Sequence, residues 1–175
     1  MTASPDNYFI GKGIVSFKPT GAADYRDLGN VPELEWVPEL EELEHFSSRE
    51  GVRTRDKTVI VEKKATMRLI LEEWTAENLA LAFLGDVEVT GTAPDEVTKI
   101  NLFSQNAING ALRYVGTNEV GPKYQFDALN VTIIPSGTGI GFITDEWGQM
   151  ELNAEIGVDS NGQFATLELI VPEAE

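Results

Sequence analysis

Apolar residues recur at every second position through most of this chain, the period of a strand with one buried face. The clearest run is Met150, Leu152, Ala154, Ile156 and Val158, with polar residues or Gly157 between them. Asn161-Gly162 follows, a pair that tolerates positive φ, and then Ala165, Leu167, Leu169 and Val171 alternate again. This spacing predicts two strands joined by a tight hairpin turn. A longer run over 58–74 sets Val59, Val61, Ala65, Met67, Leu69 and Leu71 on one face, interrupted by Lys63. About five or six residues is usual for a strand, so this one projects beyond its sheet or bends. Leu34, Trp36, Pro38 and Leu40 also alternate, the phase slips at Glu41-Glu42, and it resumes at Leu43 and His45. A β-bulge accounts for the slip. Further strands are expected over 8–18, 97–104, 111–116 and 124–134.

One segment breaks the period. Thr75 can cap a helix, Glu77 suits its first turn and Gly85 can close it. Leu79 and Phe83 then share a face, and most sides are apolar. The pattern predicts one short helix, about 76–84, packed on a sheet. No linker, low-complexity tract or repeat divides the chain. Its 175 residues read as a single domain, 1–175. The fold class is mainly β: a β-sandwich or partly closed barrel with one flanking α-helix.

Composition narrows the function. The formal net charge is −16 and there is no cysteine. The first argues against binding nucleic acid or an anionic membrane through bulk charge. The second excludes a disulfide scaffold, a thiolate zinc site and a cysteine nucleophile. The start, MTASPDNYFIGKG, lacks a basic segment followed by an apolar run, and no stretch nears the roughly 20 apolar residues of a membrane span. A soluble protein made in a cytoplasm is expected.

The charge is unevenly spread. Of 13 basic residues, seven lie between 49 and 68: Arg49, Arg53, Arg55, Lys57, Lys63, Lys64 and Arg68. Seven glutamates lie between Glu33 and Glu50, and no Lys or Arg follows Lys123. Two readings fit: a solvated charged surface, or an asymmetric subunit whose copies attract head to tail.

Catalytic constellations are weak. His45 is the single histidine, so a Ser/His/Asp triad would have to use it; beside Phe46 in a strand pattern, packing is the better account. Asp159-Ser160-Asn161-Gly162 faintly resembles a calcium loop, but the downstream acidic ligand is replaced by Ile170. SGTGIG (136–141) misses the dinucleotide fingerprint, with no helical pattern after it. Asn130-Val131-Thr132 has the form of a glycosylation sequon. Trp36, Trp74 and Trp147 are scattered, which suits packing better than a sugar platform. The sequence points to no enzyme, no cofactor and no metal.

The order of segments carries more. GKGIVSFKP is followed by DYRDLGNVPELEWVPELEELEHFSS, the basic stretch REGVRTRDK, the long strand TVIVEKKATMRLILEEW and the helix TAENLALAFLG. In this order and texture the chain resembles the major tail tube proteins of long-tailed, non-contractile bacteriophages. The resemblance covers roughly residues 10 to 85; the remainder is similar only in β character.

The resemblance implies a structural virion protein that performs no reaction. Subunits would form hexameric rings whose sheets join into an inner barrel. The rings would stack into a tube around a tape-measure protein, ending at tail terminator and distal tail proteins. Double-stranded DNA would pass through without specific binding. The implied localisation is the virion tail, assembled in the host cytoplasm. An assembly loop, about 47–57, would reach a neighbouring copy through Ser48, Arg49, Arg53, Arg55, Asp56 and Lys57, its arginines docking on acidic surface. Glu151 and Glu155, on the polar side of their strand, would line the lumen and repel phosphate, the alternative being the tube exterior. The competing reading is a carbohydrate-binding or receptor-binding β-sandwich module, and behind it a glycosidase on a β scaffold.

Overall fold

A computed structural model describes residues 4–49 and 51–170. Glu50 and Val171 of the patterns above lie outside the described residues. After a short 3-10 helix at Pro5–Asn7, ten strands and one α-helix follow in order among the described residues: β1 (Gly13–Pro19), β2 (Arg26–Asp27), β3 (Glu33–Ser47), β4 (Thr54–Leu71), α1 (Ala76–Ala82), β5 (Asp86–Thr90), β6 (Val97–Asn101), β7 (Ile108–Gly116), β8 (Lys123–Pro135), β9 (Met150–Ile156) and β10 (Thr166–Ile170). Eight strands make one antiparallel sheet in the order β2-β1-β7-β8-β9-β4-β3, with β10 also on β8; β5 and β6 form a separate ribbon. The fold is mainly β, as the alternation predicts, and the sheet curls without closing.

The core lies on one face of this sheet. Val15 and Phe17 of β1, Met67, Leu69 and Leu71 of β4, Leu112 of β7, Val131 and Ile133 of β8, and Met150, Leu152 and Ala154 of β9 are all buried there. Leu81 and Ala82 of α1 join them. Fully burying a side chain of this size contributes about 1.5–3 kcal/mol.

Helix α1 forms where the caps foretell, with one difference. The Thr75 hydroxyl accepts from the Asn78 N–H at 3.2 Å. At the other end Leu84, not glycine, takes the left-handed conformation at φ 45°. Gly85 then donates to the Ala80 carbonyl at 2.8 Å, satisfying an orphan group of the last turn. Gly85 is needed for space: a Cβ there would stand 2.6 Å from the Asn101 carbonyl oxygen.

The expected 161–162 hairpin does not form. β10 pairs with β8, Thr166 opposite Asp127 and Ile170 opposite Lys123, while β9 pairs with β8 higher up, Val131 opposite Ile156. Both run in the same direction, so β9 and β10 are two segments along one edge of β8. The chain between them closes on itself. The Asp159 carboxylate accepts the N–H groups of Asn161 and Gln163, at 2.8 and 2.9 Å. The Gln163 bond leads in holding that carboxyl below the usual aspartate range. Asn-Gly marks a turn here, but the Asx loop returns the chain to its original heading.

Candidate assembly surfaces

β3 and β4 pair from Glu33 opposite Ile70 to Ser47 opposite Thr54. β9 covers the other edge of β4 over Ala65 to Leu71 and no further. Residues 54–64 of β4 therefore have β3 as their only strand partner among the described residues, and the two leave the sheet as a ribbon. Two register shifts twist it, at Glu41/Glu42 and His45/Phe46. The first places the extra residue, Val61, on β4 rather than β3. Val59 and Val61 thus fall out of phase with Ala65, Met67 and Leu69, and both are exposed rather than on the core face. Leu40, Leu43, Phe46, Val52 and Ile60 of the ribbon are exposed as well, Leu43 at 64%. A two-stranded ribbon is marginal in water by itself, and clustered exposed apolar side chains mark an interaction surface.

The pairing also relocates the charge. The acidic block falls on β3 and the basic block on β4, so the two face each other inside one hairpin. Arg55 donates to Glu44, raising the guanidinium above its ordinary value. Within β4 itself Lys64 stands 2.8 Å from Glu62 and holds that carboxyl below the usual range. His45 Nδ1 lies 2.6 Å from Asp56 Oδ1, a cross-strand contact with no serine in it. Arg53 stands over the Phe46 ring at 5.8 Å. The loop expected over 47–57 is shorter: the ladder continues through Ser47 and Thr54, so Ser48, Arg49 and Arg53 lie in the connection, while Arg55, Asp56 and Lys57 belong to β4. Alternating strand residues found partners that a loop would have left to solvent.

Glu151 and Glu155 lie on the sheet face opposite the core. The registers align Glu33, Ile70 and Glu151 in one row, Glu35, Arg68 and Asn153 in the next, then Val37, Thr66, Glu155 and Thr132. The same face continues onto the ribbon with Glu39 opposite Lys64 and Glu41 opposite Glu62. Seven glutamates thus share it with two cations, Lys64 and Arg68. Glu151 is half-buried and Glu155 exposed. The Arg68 guanidinium gathers Glu33, Glu35 and Glu151, its Nε 3.2 Å from a Glu151 oxygen. Its proton is held more firmly than usual, chiefly by the hydrogen bond to Glu151.

Two further surfaces escape the alternation pattern. An open apolar groove of about 900 Å³ is lined by Phe9, Val15, Trp36, Met67, Phe126 and Leu167, among others. Trp36 meets Phe126 edge to face at 5.4 Å. The connection from β8 to β9, residues 136–149, carries exposed Phe142, Ile143 and Trp147. A curled sheet makes the groove by bringing distant strands together, which no local window reports. The exposed Phe-Ile-Trp set in a glycine-rich stretch was the available signal for the loop. The three tryptophans do not form one platform: Trp36 lines the groove, Trp74 donates to the Gly148 carbonyl at 3.0 Å, and Trp147 is exposed. Asn130 is structural, its amide donating to the Val158 carbonyl. Among the described residues, no helix is long and apolar enough to cross a membrane.

No curated protein matches this chain. One family model matches residues 8–98, just over half of it, from the segment before β1 through the ribbon and α1 into β6. The chain belongs to the family described as Protein of unknown function UCP028589.

Proposed function

We propose that this chain is a structural, self-assembling subunit, the building block of a phage-type tail tube made of stacked, homo-hexameric rings. One observation carries the reading. The β3–β4 ribbon stands off the sheet with apolar side chains on display and, among the described residues, no other strand of its own chain supports it. Such an element becomes stable when a second copy covers it. The acidic sheet face supports the same reading. Double-stranded DNA carries one charge per about 1.7 Å of axis, so a lumen lined by glutamates, Glu151 and Glu155 among them, lets the duplex slide without binding. The charge pairing inside the ribbon refines the docking mechanism. Apolar residues supply the contact, and the ribbon's ion pairs fix its own shape rather than reaching out as a bare cationic arm.

Sedimentation velocity of the purified chain over a concentration series tests this. Wild type is expected to pass from monomer to a discrete species of several copies. The double variant Leu43→Asn, Val61→Asn, altered only at exposed ribbon positions, is expected to stay monomeric with an unchanged melting curve. Wild type that remains monomeric throughout, or a variant that assembles equally well, contradicts the proposal.

A further inference from the structure

The 136–149 loop and the apolar groove sit at opposite ends of β8. Tyr124 and Phe126, near its start, line the groove; the loop leaves after Pro135, its last residue. Nine strand steps lead from Phe126 to Pro135, at most roughly 30 Å at about 3.3 Å per strand residue. The loop is a fastened knob. Phe142, itself 73% exposed, touches the body along one side, meeting the Trp74 ring edge to face at 5.6 Å and lying parallel to Phe83 at 6.4 Å with 6° between planes. The Trp74 indole holds the Gly148 carbonyl. Beyond these anchors Ile143 is 99% and Trp147 90% exposed. A tryptophan left in water beside a loop end tied by a hydrogen bond has the character of an interface hot spot.

The groove is its chemical complement. It is walled by aromatic and aliphatic side chains and open on one side, and Leu167 at its lip is 63% exposed. Its volume lies in the range that takes several buried side chains. Lys12 lines it, as do Glu33 and Glu35, and Glu33 is engaged by Arg68; the knob carries Asp145 and Glu146 between its two apolar residues.

We propose that the 136–149 loop of one copy seats Ile143 and Trp147 in the groove of the next, which makes the contact between stacked copies. This rests on the self-assembly reading above and names the surfaces that join. Knob and socket lie on different patches, so the contact is heterologous and propagates along one direction.

The absence of cysteine makes the test direct. Single variants Thr144→Cys on the knob and Thr166→Cys at the groove lip, both exposed and both leaving Ile143, Trp147 and Leu167 in place, are mixed in equal amounts at assembling concentration and mildly oxidised. The mixture is expected to cross-link about tenfold or more faster than Thr144→Cys mixed with Val97→Cys, a control on the β6 ribbon, because docking raises the effective concentration of the two thiols. The double variant Thr144→Cys, Thr166→Cys is expected to give a ladder of multimers on a non-reducing gel. Equal rates for the two mixtures overturn the proposal, including the case in which the groove takes a small apolar ligand instead. If wild type forms higher species while the rates are equal, the knob-and-groove contact alone fails. A fast cross-link with no higher wild-type species supports the contact and removes the tube. Equal rates with a monomeric wild type remove both.

Discussion

Asn78 is the residue on which the helix is hung. Its amide nitrogen donates to the Leu28 and Glu73 carbonyls, both at 2.9 Å, and its oxygen accepts from the Arg26 guanidinium at 2.8 Å. It is fully buried. Replacing Asn78 by Ala leaves those partners unsatisfied, which costs about 1–3 kcal/mol; urea denaturation should show a lower midpoint with an unchanged slope. Nothing in the sequence singled Asn78 out, because it reads there as an ordinary third residue of a helix. Thr75 was legible, since a cap bonds to a neighbour two or three places on. Asn78 bonds to residue 28, and that distance is invisible to any local pattern. The same limit explains Leu84. Gly85 read as the residue that closes the helix; it is glycine for want of room beside the Asn101 carbonyl, while Leu84 takes the positive φ.

At the scale of elements, alternation located the strands and left the pairing open. The long strand and its bulge were legible in Val59 to Leu71 and in the slip at Glu41-Glu42. What the pattern could not tell was which strand carries the extra residue. With Val61 bulged, the apolar phase of β4 ends where β9 ends, and the rest of the run becomes exposed ribbon. Likewise Asn161-Gly162 gave the turn but not its outcome, because Asp159 redirects the chain along β8. The charge blocks were plain in the sequence too, yet their meaning depends on the β3–β4 register. Arg55 and Glu44 decide between the two uses of that charge. If Arg55 acts within the ribbon, Arg55→Glu weakens assembly, and the swap Glu44→Arg, Arg55→Glu restores it toward the wild-type level. If Arg55 instead docks on another copy, the swap assembles no better than Arg55→Glu alone. Light scattering against concentration for the three proteins distinguishes these, and the first outcome is expected. The exposed position of the pair keeps its effect on monomer stability small.

For the whole molecule, two chemically different faces matter. One sheet face packs the core beneath α1, and the other presents seven glutamates in register with two cations. At the rims are a ribbon with no strand neighbour on either edge among the described residues, an apolar groove, and an apolar knob at the far end of β8. These features suit a part made to be surrounded by copies of itself. The fold class was readable from period-two alternation alone. The groove and the aligned glutamate rows were not, since both arise when residues more than 80 positions apart, such as Glu33 and Glu151, come to share one surface. The central claim is that copies of this chain build a tube. Negative-stain electron microscopy of the concentrated purified chain tests it most directly. The account predicts rings or tubes of uniform diameter with six-fold end-on views; isolated particles at every concentration contradict it.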